Sequence, residues 1–393
     1  KEILSIVILM NFFSKVVNCR YKFSIDKKSD ILLFTGWENK ELFLKELKEY
    51  SIVFVHRKSY EVNIFYLAIA FFLKFIFNEK LKISYIRAHT FFVKPKIILT
   101  TYDTEEMVFS FKKYFNIKTF IIQLNHQNAY QGWWGKSKAK YEVDEIFVYG
   151  EDYKKLFQKY LKANYNIIGA FRNNSFLMKN SKKKKEKSIS YISQYRKGYS
   201  FGGTLKTKNS YIVDIMILKF LEKYCLKRKL ILKINLFSSP NLPGRRGLWY
   251  KNKNEINFFK SLKLKCKHKY ITPKGVMGSY KNLILSNCKT IVAADSNLTY
   301  EMFVRGKKCV FFSIRDWDHK AKSGNFGWPG KYPNAGFCWN NKYSEKNFEK
   351  TLNRVISMSN QTWEKLSKKY LRKIIVHDNG NKIFKKKIRD AIL

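Results

Sequence analysis

Residues 290–313, TIVAADSNLTYEMFVRGKKCVFFS, read as strand, helix and strand, and they set the fold class of the whole chain. The apolar run Thr290–Ala294 ends in Asp295, Ser296 and Asn297, residue types that accept bonds from the first free N–H groups of a helix. The helix runs to about Arg305, Gly306 stands where a left-handed cap is expected, and Lys308–Ser313 is a second apolar run. A strand that returns to its neighbour through a helix forms a βαβ unit with the two strands parallel. Both runs are apolar throughout rather than alternating, as in a sheet covered on both faces.

The same alternation extends outward. Upstream, strand-like runs fall at Ile31–Thr35, Ser51–His56, Ile97–Thr101, Thr119–Gln123, Glu145–Tyr149 and Asn166–Gly169. Helical patterns lie between them at Asn39–Tyr50, from about Val62, at Thr104–Phe115 and at Glu151–Leu161. The run Ser181–Ser188, SKKKKEKS, carries no apolar anchor and reads as a solvated linker. The pattern then restarts with Ser188–Ser193, the helix Tyr211–Tyr224, the strand Leu230–Asn235 and helices at Asn254–Leu262 and Tyr280–Ser286, and Ser344–Leu393 is a helical tail. The expectation is an α/β chain with one parallel-sheet domain over residues 1–180, a Lys-rich linker over 181–188, and a second such domain with the tail over 189–393. The length of 393 residues suits two domains at roughly 100–200 residues each. Such domains take ligands between them, at the C-terminal ends of the strands.

Composition narrows the partners. Lys and Arg number 77 against 30 Asp and Glu, a net charge of +47, yet only 13 of the 77 are Arg and the lysines are spread along the whole chain. Nucleic-acid readers concentrate charge in a patch and favour Arg, so the excess points to anionic partners broadly: nucleotide phosphates and an acidic membrane face. The six cysteines and six histidines form no metal-ligand spacing, and the cysteines read as small buried residues of a reducing cytoplasm. Ile64–Phe77, IFYLAIAFFLKFIF, falls short of the ~20 residues that cross a bilayer. It reads as a helix buried on a sheet, with an interfacial membrane contact flanked by Lys74, Lys80 and Lys82 as the alternative. The opening residues form an apolar strand-like run without a small-residue cleavage site, so no signal peptide is assigned.

The helix start at Asp295–Asn297 offers free N–H groups and partial positive charge, which suits a pyrophosphate. The Ser296 and Thr299 hydroxyls are donors beside it, and Glu301 is a candidate acceptor for ribose hydroxyls. An ordinary capped helix would carry the same residues. In the first half, Gln123-Leu124-Asn125-His126-Gln127-Asn128 follows a strand directly. His126 titrates near neutrality and suits a general base, or else bonds a loop carbonyl. Asp103 and Glu105 are alternative bases at an equivalent position. Trp133 and Trp134 supply an aromatic platform for a sugar ring or plug a hinge. The loop over residues 313–339 is rich in aromatic and basic residues, and Arg315 in it is a candidate for neutralising a leaving phosphate by fixed charge. The single Asp-x-Asp, Asp316–Asp318, lies in that loop and not after a first-half strand. Neither a Walker A loop nor GxGxxG occurs, which argues against a kinase or dehydrogenase.

The run Asp295-Ser296-x-Leu298-x-Tyr300-Glu301, followed by Arg305-Gly306-Lys307-Lys308, Phe326-Gly327-Trp328-Pro329 and Gly336-Phe337-x-Trp339, resembles bacterial surface-carbohydrate biosynthesis transferases. Tyr191–Arg196 and Gly169–Asn174 match the stretches that open the second domain and close the first in that family. Asn297 and Thr299 stand where the family has Thr and Gly. The resemblance implies a GT-B glycosyltransferase-like fold whose second domain binds a nucleotide-sugar donor through Ser193, Gln194, Arg196, Asp295, Ser296, Asn297, Thr299, Glu301 and Arg315. It implies an acceptor site in the first domain with Gln127, Asn128, Trp133 and Trp134, and His126, Asp103 or Glu105 as catalytic residues. The expected reaction moves a sugar onto a cell-surface glycan such as O-antigen or capsule, without a cofactor or metal, at the cytoplasmic face of the inner membrane. The stretch Gln123–His126 is also similar to that of polyol-phosphate transferases that use CDP-glycerol or CDP-ribitol, and a non-catalytic glycan-binding protein at the membrane is the reading from another class.

Overall fold

The computed structural model describes residues 20–36, 39–56, 61–125, 141–177, 186–195, 212–236, 252–274, 278–314 and 325–393. The first half contributes β1 (Arg20–Lys22), β2 (Ile31–Thr35), β3 (Ile52–His56), β4 (Glu61–Asn63), β5 (Ile97–Thr100), β6 (Lys118–Ile122), β7 (Tyr141–Val148) and β8 (Leu161–Ile167). Six of these form one all-parallel sheet in the order β3-β2-β5-β6-β7-β8, while β1 and β4 pair as a separate parallel ribbon. The second half contributes β9 (Ser188–Ile192), β10 (Ile231–Asn235), β11 (His268–Ile271), β12 (Thr290–Ala293), β13 (Cys309–Phe312) and β14 (Trp339–Asn340). They form a second all-parallel sheet in the order β11-β10-β9-β12-β13-β14. The expected α/β arrangement of two parallel, Rossmann-like sheets with C-terminal helices is therefore present.

The interior position of several strands agrees with the sequence pattern. Ile31–Thr35, Ile97–Thr100, Ser188–Ile192, Thr290–Ala293 and Cys309–Phe312 are buried at every residue, as central strands covered by helices on both faces must be. Each sheet reverses direction once, between β2 and β5 in the first and between β9 and β12 in the second, and doubly wound sheets hold ligands beyond the strand ends at such a reversal.

Several elements differ from the sequence reading. The pattern over Thr104–Phe115 splits into helices Glu106–Phe109 and Phe111–Tyr114. Strands β1, β4, β11 and β14 were not anticipated; β14 has only two residues and β11 has the run HKYI, which lacks a continuous apolar signature. The segment expected to lie buried on a sheet is instead one arm of a hairpin, helix Ile64–Phe77 against helix Leu81–Val93, and only Tyr66 and Ala70 of the first arm are buried. Its inner layer is aromatic and polar: His89 sits between Tyr66 and Tyr85, with ring centroids 4.2 and 4.8 Å away, and burial pushes its titration down to about 3.

The C-terminal tail returns to the first domain, although the sequence reading assigned all of 189–393 to the second. Helix Asn360–Ile374 passes so close to the first domain that a Cβ on Gly150 would lie 2.5 Å from the Lys373 carbonyl. Gly169, with φ of +74°, pairs with His377, and a Cβ there would come within 1.9 Å of the Val376 carbonyl. The last helix, Lys382–Ile392, covers the first sheet: Phe384 packs edge-on against Phe147 at 5.2 Å and Phe171 at 4.9 Å. Asn381, wholly buried, donates to the Phe171 carbonyl and to Ser175 Oγ and accepts from Asn174 Nδ2, fixing the turn into that helix. Cys225, Cys266, Cys309 and Cys338 are buried, as expected of packing residues.

Candidate functional site

The second domain presents Ser193 and Gln194 beyond β9 and Asp295 and Ser296 beyond β12, on either side of its strand-order reversal. They are already bound to one another and to the helices behind them. Ser193 Oγ donates to Glu255 Oε1 at 2.6 Å and accepts from the Tyr195 amide at 3.1 Å. Gln194 donates its amide to Asp214 Oδ1 at 3.2 Å, and its side-chain oxygen accepts from the Asp295 amide at 3.2 Å. Tyr191 donates its hydroxyl to the same Asp214 carboxylate. Two strand ends are thus joined edge to edge by side chains, which holds the following helix start in a fixed position.

Helix Asn297–Val304 begins at Ser296, whose backbone is extended and whose side chain makes no capping bond. Its far end closes as the sequence implies: Gly306, at φ of +78°, donates to the Phe303 carbonyl and Lys307 donates to that of Met302. The helix stands against the first domain. Asn297 Nδ2 donates to Asn125 Oδ1 at 3.3 Å, and Asn125 follows β6. Glu301, four residues on, faces Tyr149 at the end of β7, whose hydroxyl lies 3.5 Å from Oε1 and 3.0 Å from the Leu124 carbonyl. Arg305, four residues further, donates through Nε to Asn173 Oδ1 at 2.6 Å and through Nη2 to the carbonyls of Asn173 and Phe176. Positions spaced by four on one helix share a face, and here that face is the one turned to the first domain.

This changes what Thr299 and Glu301 do. Thr299 is fully buried and its hydroxyl has no bonding partner among the described residues. Glu301 is 2% exposed, and burial pushes its carboxyl up to about 7 against the opposing pull of Tyr280, Arg172, Tyr149 and Arg305. Its carboxyl is enclosed by protein rather than presented to a ligand. Ser296 and Asn297 remain at the edge of the seam. The part of the aromatic loop after β13 that is described, from residue 325 on, also packs inward. Phe326 stacks on Trp339 at 4.3 Å, both buried, and Trp328 meets Tyr153 of the first domain at 6.0 Å. Tyr332 donates to Asp152 across the same boundary at 2.6 Å.

In the first domain, Gln123 is buried and ties β6 to β7, accepting from the Tyr149 amide at 3.0 Å and donating to the Asn125 carbonyl at 3.1 Å. Asp103 is buried beyond β5, and Glu105 lies 3.9 Å from Lys82 at the start of helix Glu106–Phe109. His126, Gln127, Asn128, Trp133, Trp134, Arg196 and Arg315 lie outside the described residues, as do residues 181–185 of the linker. Glu186, at its end, belongs to the second domain, donating its amide to the Asn287 carbonyl.

A polar chain at the first sheet's reversal was not anticipated. Thr35 and Thr101 share a hydroxyl bond of 2.7 Å between the ends of β2 and β5. Asn39 donates to Thr35 Oγ1 at 3.1 Å and accepts from Arg172 at 2.6 Å, and His56 Nδ1 lies 3.3 Å from the Thr35 carbonyl. The signal was legible only as position: Thr35 and His56 end strands and Thr101 follows one, and threonines there look like any other strand terminus.

Solved structures with similar folds include the wall teichoic acid polymerase TagF (10% identity, 92% of this chain and 89% of that one, TM-score 0.47). They also include UDP-GlcNAc 2-epimerase from Neisseria meningitidis bound to UDP-GlcNAc (13% identity, 92% and 99%, TM-score 0.48) and MurG from Acinetobacter baumannii (9% identity, 93% and 100%, TM-score 0.48). No curated protein matches the chain in sequence. A family model described as "putative O-antigen biosynthesis protein" matches residues 120–392, which takes in the end of β6, β7 and β8, the whole second sheet and the returning tail. On that match, over well more than half its length, the chain belongs to this family of O-antigen biosynthesis proteins.

Proposed function

We propose that the chain is a glycosyltransferase that moves a sugar from a nucleotide-sugar donor to a surface glycan acceptor. The observation that carries this reading is the start of helix Asn297–Val304: it stands at the strand-order reversal of the second sheet, uncapped by its Ser296 side chain, with Asn297 touching the first domain through Asn125. Free N–H groups at such a point suit a diphosphate, with Ser296 and Asn297 as additional donors. Ser193 and Gln194 would frame the nucleoside side of that site, with Arg196 and Arg315 supplying fixed positive charge. Membership of an O-antigen biosynthesis family supports a glycan acceptor.

In this reading the acceptor binds the first domain beside His126, next in the chain after Asn125. His126 takes the proton of the acceptor hydroxyl as its oxygen bonds to the sugar's anomeric carbon, and the bond from that carbon to the phosphate breaks, releasing the nucleotide. Charge on the leaving diphosphate is met by the helix start and Arg315, so no metal is assigned a step. Asp103 and Glu105 are the bases that take over if His126 is not the one. Gln127, Asn128, Trp133 and Trp134 would hold the acceptor, which reaches the protein at an anionic membrane face.

The test is binding and turnover with a panel of nucleotide sugars together with CDP-glycerol and CDP-ribitol. Nucleotide release from one nucleotide sugar in the presence of acceptor supports the reading. Release from a CDP-alcohol alone would replace it with a polyol-phosphate transferase, and binding of glycan without any nucleotide would replace it with a non-catalytic role.

A further inference from the structure

The hairpin of helices Ile64–Phe77 and Leu81–Val93 has two unlike sides. Its inner side is committed to packing: Tyr66 accepts from the Asp26 amide at 2.8 Å, Tyr85 accepts from the Asn63 amide at 3.0 Å, and Ile83, Ile86 and Val93 are buried. Its outer side is covered by nothing among the described residues. Phe71, Phe72, Phe75 and Ile76 fall at spacings of three and four on the first arm and are exposed, Phe72 by 66% and Phe75 by 79%. The preceding segment adds Phe23 and Ile25, both more than half exposed, and is tied to the hairpin by the bond from Asn63 Nδ2 to the Ser24 carbonyl. Large apolar side chains scattered singly need no explanation, but a contiguous set marks a contact surface.

The charge around this set is one-sided. From Ile64 to Lys96 the chain has six basic residues and one acid, Glu79, and Arg87 holds that acid with two bonds of 2.9 Å. Lys74, Lys80 and Lys82 are exposed. A second copy docked on the same face would bring two basic rims together, whereas an anionic bilayer neutralises them while taking up the rings. Fourteen residues extend about 21 Å, less than a bilayer core of about 30 Å, and no helix among the described residues is long and apolar enough to cross a membrane.

We propose that this face docks in the interface of an anionic membrane, with helix Ile64–Phe77 lying in the membrane plane, its exposed phenyl rings at the acyl boundary and Lys74 of that helix, with Lys80 and Lys82 beyond it, at the phosphates. The surface locates the membrane contact assumed in the proposed function, but vesicle binding is read without donor or acceptor, so each can fail alone.

The experiment is flotation of the full chain with vesicles of phosphatidylglycerol and phosphatidylethanolamine at 0.1 and 1 M salt, with three proteins compared: wild type, the triple variant Phe72→Ser, Phe75→Ser, Ile76→Ser, and the triple variant Lys74→Gln, Lys80→Gln, Lys82→Gln. Thermal melting of each checks that the variants are folded. Wild type should stay partly bound at 1 M salt. The serine variant should lose at least roughly tenfold in partitioning at 1 M salt, and the glutamine variant should weaken only at 0.1 M. Complete release of wild type at 1 M salt, or a folded serine variant that binds like wild type, would overturn the proposal. So would an unchanged glutamine variant at 0.1 M, or a wild-type dimer that the serine variant converts to monomer without either binding vesicles.

Discussion

Arg305 and Asn173 stand 132 residues apart in the chain, yet the Arg305 guanidinium donates at 2.6 Å to the Asn173 side chain and at 2.7 Å to its carbonyl. The arginine of the second domain's helix motif thus closes on the short helix Phe171–Asn174 at the end of the first domain. One turn before it Glu301 faces Tyr149, and one turn before that Asn297 reaches Asn125. A single helix face carries the start proposed to bind phosphate at one end and the domain clamp at the other.

Arg305→Ala removes three donated bonds and leaves the Asn173 and Phe176 carbonyls to find other partners. We expect a loss of roughly 2–4 kcal/mol in urea unfolding, with Arg305→Lys recovering only part of it because one ammonium cannot reproduce the planar fork. A change below about 0.5 kcal/mol would mean that the clamp contributes nothing to holding the domains.

Glu301 sets a pH dependence. Its carboxyl titrates at about 7 when folded because burial disfavours the charge, against an ordinary value of 4.5. The folded chain therefore holds this proton more tightly than the unfolded chain. The associated stabilisation is complete below about pH 4.5 and is lost as pH rises through 7, about 3 kcal/mol in all. Glu301→Gln, neutral at every pH, should melt like wild type at pH 5 and above it at pH 8. Parallel melting profiles from pH 5 to 8.5 would show that the carboxyl is not enclosed as described.

The tail provides a packing test. Phe384→Ala takes a wholly buried ring from between Phe147 and Phe171 and should cost about 3–5 kcal/mol, although residue 384 lies within the stretch assigned by sequence to the second domain. Destabilisation confined to the second sheet, read by amide exchange, would contradict the packing of this helix on the first.

The central strands were legible because helices cover both faces of each sheet, which leaves an uninterrupted apolar run such as Ile31–Thr35 or Cys309–Phe312. The edge strands β11 and β14 of the second sheet were not, since they are short and only half constrained, whereas the edge strand β3 was read as Ser51–His56. Asp295, Ser296 and Gly306 could be read because a helix start and a helix end demand particular residue types. The roles of Thr299, Glu301 and Arg305 could not, because nothing local says which face of that helix meets another domain. The same holds for Phe384, whose partners lie more than 200 positions earlier, and for the Ile64–Phe77 helix, whose apolar residues would look alike facing a core or a membrane.

For catalysis, His126→Ala should leave donor binding intact and lower turnover by about 10²–10⁴-fold, since a base acts only as the acceptor oxygen attacks. Unchanged turnover would assign the proton to Asp103 or Glu105, to be tested with Asp103→Asn and Glu105→Gln.

The central claim is that the start of helix Asn297–Val304 holds a donor diphosphate, and nucleotide-dependent thermal stabilisation of wild type against Ser296→Glu tests it most directly. One nucleoside diphosphate or its sugar should stabilise wild type by about 2.7 kcal/mol at a hundredfold excess over Kd, and the added carboxylate at the helix start should abolish that stabilisation by repelling the phosphates while leaving the unliganded melting temperature near that of wild type. No stabilisation of wild type by any nucleotide at millimolar concentration, or equal stabilisation of the two proteins, would contradict it.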